Sequence, residues 1–355
     1  MPRLVISIFE TFPTICWLVC FALLTQPGKA SLSAEILEPP PLRVYFVGNS
    51  VTDTLKYGLF ADLAKSQGRE LVWGRHVIPG TPLFLPLKLA EEGKESGFVE
   101  EPFGDCKRAL SNHTWDAICL QPFDRLLTNI DEKSGVDAEG DLATISRFIK
   151  LALPKSPDAR FYLYARWPRI TINGKDPGYD KDAYDKNIRG VSPVTSPANA
   201  NPPLSSKGEG ISGKFDDFGE RWNRKYTGGW DGSNETRDYF ETLTRKVREA
   251  HPELKDRILL IPVGHVMHEL DQQMKAGNVP GHKGVIEDLY VDGIHLNNKG
   301  SFLVASTFYA TIFGADPAKL PAKTYEVKDA EFVTALQPII WKIVREHELS
   351  GVKPR

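Results

Sequence analysis

The feature that most constrains the fold of this chain is a repeated alternation of short apolar segments with longer segments of helical periodicity. Short runs of β-branched and aromatic side chains are typical of buried strands, and apolar residues spaced by three and four are typical of helices. Alternating strands and helices fold into a parallel sheet with helices packed on both of its faces. We therefore predict an α/β domain with strands at residues 42–47, 70–78, 117–120, 160–167 and 257–263.

Helical periodicity is visible between and after these strands, and it is lost in one long stretch. Residues 168–235 are rich in Gly, Pro, Asn and Ser, and a long irregular stretch inside a domain is often functional. We interpret it as an insertion or cap. Helices are predicted at about residues 54–67, 83–93, 102–112, 142–153, 236–250, 265–274, 302–313 and 329–347.

The exit of the first strand carries the first candidate for chemistry. The strand ends in Gly48-Asn49-Ser50, and a helical pattern follows directly. A serine between a strand and a helix lies at the carboxyl edge of the sheet, beside the unpaired N–H groups of a helix N-terminus. Such a position suits a nucleophile, although Ser50 or Thr52 capping the helix, with Asp53 in its first turn, is an alternative interpretation.

A second candidate lies far along the chain, just before the helical pattern at 302–313. Asp292 and His295 are three residues apart on one short turn. A carboxylate and an imidazole so placed can serve as the orienting group and the base for a nucleophilic serine.

Together these two segments resemble the first and last blocks of the SGNH (GDSL-type) hydrolases. Gly48-Asn49-Ser50 with Asp53 is similar to the first block, in which Gly-Asp-Ser is the common form, and Asp292-x-x-His295 is similar to the last. The order along the chain is also that of the family. The resemblance spans residues 42–313 and implies a flavodoxin-like three-layer α/β/α sandwich with a central parallel sheet.

The resemblance implies a serine esterase with Ser50 as nucleophile, His295 as base and Asp292 as the residue that orients it. It also implies an oxyanion hole formed by the backbone N–H groups of Ser50 and Gly80, and the alternative for Gly80 is a simple turn glycine in Pro79-Gly80. The family's third block, Gly-x-Asn-Asp, is missing, and Gln121 stands after the third strand where its asparagine is expected. Gln121 carries the same carboxamide one methylene further out, and is interpreted either as the third donor or as a buried structural residue.

Aromatic residues in the insertion suggest two different roles. Trp222, Tyr226 and Trp230 recur at fourfold spacing, which indicates either the apolar face of a helix or a platform for sugar rings, joined by Trp167. The leading hypothesis is therefore an esterase acting on a carbohydrate O-acetyl ester or a small-molecule ester. A non-catalytic glycan-binding protein and a lipolytic esterase remain alternatives.

No cofactor or metal is expected from the sequence. His265 and His268, three residues apart beside Glu269, have a spacing that could hold a metal, and we interpret them as ordinary helix residues. Phosphate-binding and dinucleotide-binding glycine motifs are missing from the sequence. A formal net charge of −2 gives no indication of a nucleic-acid partner.

The N-terminus has the pattern of a signal peptide. An apolar segment at 15–24 precedes the small-residue triplet 28–30, so we predict a leader over 1–30 and a secreted or periplasmic protein without stable membrane insertion. An uncleaved anchor is the alternative. Cys106 and Cys119 lie beyond the leader, either as a disulfide or as two buried thiols. The predicted organisation continues with a linker at 31–41, a hydrolase domain at 42–320 with the insertion at 168–235, and a C-terminal extension at 321–355.

Overall fold

A computed structural model describes residues 40–122, 130, 139–171, 216–228 and 235–353. The leader and most of the insertion, including Trp230, lie outside the described residues.

The molecule is organised around one six-stranded sheet, in which all neighbours are parallel except the edge pair β2–β3. The order across the sheet is β3-β2-β1-β4-β5-β6. The five predicted strands are all present, and β3 is a two-residue strand too short to leave a sequence pattern. The strands are β1 (Leu42–Gly48), β2 (Leu71–Val77), β3 (Phe98–Val99), β4 (Ala117–Leu120), β5 (Arg160–Tyr164) and β6 (Ile258–Ile261).

Helices connect the strands and bury their apolar faces against the sheet. In α9, one uninterrupted run from Gly300 to Ile312 is buried, as expected for a helix enclosed on all sides. The helices are α1 (Tyr57–Lys65), α2 (Phe84–Glu91), α3 (Cys106–Asn112), α4 (Asp141–Ala152), α5 (Phe218–Trp222), α6 (Arg237–Ala250), α7 (Val263–Lys275), α8 (Val285–Leu289), α9 (Asn298–Phe313) and α10 (Ala330–Glu346).

The strand order explains why a site forms beside β1. From β1 the chain moves to β2 on one side, and the later strands β4, β5 and β6 are added on the other. Right-handed crossovers in opposite directions place helices on opposite faces of the sheet. The predicted three-layer α/β/α fold is confirmed. The strand order reverses at β1, and in such folds ligands bind beside this reversal, at the carboxyl ends of the strands.

The segment after Ser50 differs from the prediction of a helix starting at residue 54. A 3₁₀ turn, Thr52–Leu55, comes first, and Lys56 in the left-handed region (φ 53°) separates it from α1, which begins at Tyr57. Asp53 does not cap this turn but pairs with buried Arg75 at 3.2 Å. Ser50 therefore precedes a tight turn rather than the first turn of an α-helix.

The C-terminal helix α10 packs against α9 and α7 through apolar residues spaced by four, Phe332, Leu336, Ile340 and Val344. In the part of the chain that the structure describes, no helix is both long and apolar enough to span a bilayer. Cys106 and Cys119 are both buried free thiols, so the disulfide alternative is not realised.

Candidate active site

Ser50 is held beyond the carboxyl end of β1 by the side chain of its neighbour Asn49. The Asn49 side chain is fully buried; its Oδ1 accepts the Val51 N–H at 3.0 Å, and its Nδ2 donates to the Thr81 carbonyl at 3.1 Å. The first bond closes a tight turn around Ser50, and the second fastens that turn to the segment after β2. The Asn49 amide makes both hydrogen bonds, because it has an acceptor oxygen and a donor nitrogen. The aspartate that is usual at this position in the SGNH hydrolases would have no donor for the Thr81 carbonyl.

Gly48, Thr52 and Gln121 form a packed unit behind the same turn. The Gln121 Oε1 accepts the Asn49 N–H at 3.3 Å and a short hydrogen bond from the Thr52 hydroxyl. A Cβ on residue 48 would lie 2.1 Å from Thr52 Oγ1 and 2.9 Å from Gln121 Cβ. Only glycine fits at this position, which accounts for the first residue of the Gly-Asn-Ser motif.

The loop that carries Asp292 and His295 is shaped by Asp292 itself. Its Oδ1 accepts the N–H groups of Ile294 and His295, both at 2.7 Å, and the His295 carbonyl accepts the Val291 N–H at 2.9 Å. The loop then enters α9, whose N-cap Asn297 accepts the Gly300 N–H at 3.2 Å. This cap fixes where the helix begins, and so fixes the position of the loop before it.

Ser50, His295 and Asp292 are brought together across 245 positions of sequence separation. Ser50 Oγ lies 3.0 Å from His295 Nε2, and His295 Nδ1 lies 2.7 Å from Asp292 Oδ2. With the carboxylate at Nδ1, that nitrogen carries the ring proton, and Nε2 is free to accept the serine hydroxyl. The half-exposed side chains of His295 (42 %) and Asp292 (51 %) place the group at the molecular surface.

The pKa of Asp292 is consistent with a permanent carboxylate. Partial burial raises this pKa, but the hydrogen bonds from the His295 ring and backbone, the charge of His295 and the Ile294 N–H outweigh it and lower the pKa to about 2. Asp292 therefore remains ionised at neutral pH and can stabilise a positive charge on His295.

The three groups expected to form the oxyanion hole surround the same turn. Within the described residues, the backbone N–H groups of Ser50 and Gly80 donate no hydrogen bond, and Gly80 adopts φ +72° in the turn after β2. Gln121 is 1 % exposed, and its Nε2 is buried without a partner in the described structure. All three donors are thus unpaired within the described residues, although Gln121 Nε2 is enclosed by the protein, and their role in the reaction remains a prediction.

The segment after β5 supports the Asp292–His295 loop through contacts that no local sequence pattern predicts. The Trp167 indole N–H donates to the Ile294 carbonyl at 2.7 Å, and the Tyr290 hydroxyl donates to the Pro168 carbonyl at 2.9 Å. The Ile170 N–H also donates to the Gly293 carbonyl at 3.0 Å. The only available signal was the position of Trp167 at the end of a strand.

The proposed sugar platform is not formed by the two tryptophans that the structure describes. Trp167 and Trp222 are both 0 % exposed, so neither offers a ring face to a ligand. Trp222 is the last residue of α5, so Trp222 and Tyr226 do not lie on one helix. Tyr226 is partly buried, with its ring edge-to-face on Tyr239 and its hydroxyl accepting the Ile130 N–H at 3.1 Å. The tryptophan prediction is corrected, because both rings fill the core.

The fold and the site together define an α/β/α protein with a Ser-His-Asp arrangement at the switch point of its sheet. No known family model matches the chain, and no curated protein matches it in sequence. The fold is similar to that of a DUF4886 family protein from Bacteroides uniformis, with a TM-score of 0.51 and 14 % identity over 86 % of this chain and 95 % of that one.

Two further solved structures are similar at lower levels. One is the periplasmic domain of a lipopolysaccharide acetyltransferase from Salmonella ser. Paratyphi A, with a TM-score of 0.36 and 12 % identity over 77 % of this chain and 84 % of that one. The other is a carbohydrate esterase family 2 enzyme with a carbohydrate-binding domain from Corynascus thermopiles (Myceliophthora fergusii), with a TM-score of 0.23 and 16 % identity over 36 % and 46 %. At these scores the similarity carries no argument about activity.

Proposed function

We propose that this protein is a serine esterase that hydrolyses a carboxylic ester through an acyl-enzyme on Ser50. The observation that carries the proposal is the continuous relay from Ser50 Oγ to His295 Nε2 at 3.0 Å and from His295 Nδ1 to Asp292 Oδ2 at 2.7 Å. These separations are within the range that nucleophilic catalysis requires between a nucleophile, its base and the group that orients the base.

In the proposed mechanism, Ser50 Oγ attacks the ester carbonyl while His295 Nε2 takes the hydroxyl proton. Asp292 stabilises the imidazolium, and His295 returns the proton to the leaving alcohol as the carbon–oxygen bond breaks. Water then attacks the acyl-enzyme with His295 again as base, releasing the acid and restoring the Ser50 hydroxyl. The negative charge on the carbonyl oxygen is stabilised by the N–H groups of Ser50 and Gly80, with Gln121 as third donor.

The substrate proposal follows from an exposed, polar site. Since Trp167 and Trp222 fill the core, neither of these two rings offers a stacking platform for sugars. We propose esters with a small acyl group, including O-acetyl esters of carbohydrates, in an exported protein as the predicted leader implies. Hydrolysis of aryl acetate against aryl octanoate, and acetate release from an O-acetylated polysaccharide, distinguish these substrates from lipids.

The test is turnover of an aryl acetate by the full chain and by Ser50→Ala. We expect the substitution to lower kcat by at least about 10⁴-fold with an unchanged circular dichroism spectrum. Ser66→Ala, at an exposed serine beyond α1, is the control and keeps full turnover. Equal turnover by wild type and Ser50→Ala would exclude Ser50 as the nucleophile.

A further inference from the structure

A second cluster of chemically competent side chains lies on elements that carry none of Ser50, Asp292 and His295. It contains Glu241 of α6, His265 in the first turn of α7, and His347, the residue after α10. Glu241 Oε1 lies 3.0 Å from His265 Nε2 and 3.6 Å from His347 Nε2, and the two Nε2 atoms lie 3.1 Å apart. Three lone-pair atoms thus form a nearly equilateral triangle.

Hydrogen bonds within the protein do not satisfy all the ring nitrogens of the two histidines in this triangle. The Leu349 N–H donates to His347 Nδ1 at 3.2 Å, so the ring proton of neutral His347 is on Nε2. If His265 Nε2 also carries a proton, two N–H groups face each other at 3.1 Å. If it does not, its lone pair faces the Glu241 carboxylate at 3.0 Å. Neither tautomer satisfies His265 Nδ1, which is buried without a partner within the described ranges.

We propose that Glu241, His265 and His347 bind a divalent transition-metal ion of the zinc class. A tetrahedral ion with bonds of about 2.0–2.1 Å holds its ligand atoms about 3.3 Å apart, and the observed sides of 3.0, 3.1 and 3.6 Å bracket this value. A cation at the centre makes all three contacts attractive. Two imidazoles and a carboxylate suit zinc, cobalt or nickel better than magnesium or calcium.

The burial of the cluster suits the same ion. His265 is 7 % exposed and the Glu241 side chain is 21 % exposed, so little water reaches the contact between them. Coordination requires the His347 ring proton to move from Nε2 to Nδ1, where it would face the Leu349 N–H. The Leu349 N–H must therefore turn away from the ring, and a metal–nitrogen bond replaces its hydrogen bond.

The consequence of such a site is structural. His347 follows the C-terminal helix, and two residues later the Leu349 carbonyl accepts the Leu260 N–H of β6 at 2.9 Å. An ion shared by His347, His265 and Glu241 would fasten the end of the chain to two helices beside the edge strand. Zinc binding therefore should raise thermal stability and should be independent of Ser50 chemistry.

The test uses the full chain after chelator treatment, one equivalent of ZnCl₂ and gel filtration, with zinc measured by mass spectrometry. We expect about one zinc per chain and a rise in Tm of about 3–8 °C at saturating zinc. Cobalt(II) should produce the visible absorption of a tetrahedral site. His265→Gln and His347→Gln should each weaken zinc binding by about 100-fold or more.

His268→Gln is the matched control on the same helix. The His268 ring contacts Asn223 and Arg237 and lies outside the triangle, so this variant keeps zinc binding and the Tm rise. Ser50→Ala also keeps both, which separates this proposal from the proposed esterase activity. Absence of retained zinc in wild type, or equal zinc affinity in His265→Gln and wild type with both folded by circular dichroism, would overturn the proposal.

Discussion

At the scale of single residues, the two oxygens of Asp292 have separate tasks. Oδ1 accepts two backbone N–H groups and shapes the loop, while Oδ2 contacts the His295 ring at 2.7 Å. One side chain therefore determines both where His295 lies and which of its nitrogens carries the proton. The same arrangement makes it possible to separate catalysis from folding in one substitution.

Asp292→Asn should abolish most turnover while keeping the loop. The amide oxygen can still accept the Ile294 and His295 N–H groups, but the amide nitrogen would donate where Oδ2 accepts, favouring the wrong tautomer of His295. We expect kcat to fall by about 10³–10⁴-fold with a small change in Tm, measured by aryl acetate turnover and calorimetry. Asp316→Asn, which alters a similar backbone-accepting aspartate elsewhere, is the control. Wild-type kcat in Asp292→Asn would exclude the orienting role.

At the scale of elements, the site depends on contacts between the segment after β5 and the loop before α9. Trp167, Pro168 and Ile170 make three hydrogen bonds to that loop. Buried Arg166 pairs with Glu235 at 2.6 Å, and Glu235 accepts the Arg169 N–H at 2.7 Å, which holds the segment in place. Trp167 is therefore a positioning residue for His295 rather than a binding surface.

Trp167→Phe should lower kcat by about tenfold with little change in KM, because the Ile294 carbonyl loses its buried donor and the loop becomes less restricted. Turnover and Tm are measured together. Trp115→Phe is the matched control: its indole N–H donates to the Ala109 carbonyl at 3.0 Å, it is similarly buried, and it precedes β4 at the amino ends of the strands, away from Ser50. Equal losses of kcat in the two variants would indicate a general packing effect.

The sequence predicts those structural features that local patterns of side chains encode. The strands, most helices and the Asp-x-x-His turn follow from the spacing of side chains that lie close in the chain. The 3₁₀ turn after Ser50 was missed because it is held by Gln121, 69 positions away from Thr52. Similarly, sequence spacing suggests His268 as the partner of His265, whereas in the structure His265 contacts His347, 82 positions away. Contacts between distant residues leave no local pattern.

At the scale of the whole molecule, a buried histidine links three elements on the β2 side of the sheet. His76 of β2 is fully buried, contacts the Ser96 carbonyl through Nε2 at 3.0 Å and accepts the Cys106 N–H of α3 at Nδ1 at 3.2 Å. Both nitrogens are satisfied only in the neutral ring. Burial lowers the pKa of His76 to about 4 despite the bond to Ser96.

Stability should therefore fall on acidification between about pH 6.5 and pH 4. In that window the unfolded chain binds a proton at His76 that the folded chain does not, so the free energy of unfolding decreases as pH falls, by about 2–3 kcal/mol at the lower limit. Urea unfolding from pH 7.5 to 4.5 measures this slope. His76→Gln, which cannot titrate, should reduce the slope without abolishing it, because burial also lowers the pKa of His265 to about 4. Partly buried His113→Gln is the control. An unchanged slope in His76→Gln would contradict this account.

The most direct test of the central claim is covalent labelling of the full chain by a fluorophosphonate, located by peptide mass spectrometry. We expect one adduct, on the peptide containing Ser50, formed at a rate that falls by at least about 10³-fold in His295→Gln. A folded wild-type protein in which Ser50 stays unlabelled, or in which His295→Gln is labelled as fast as wild type, would contradict it.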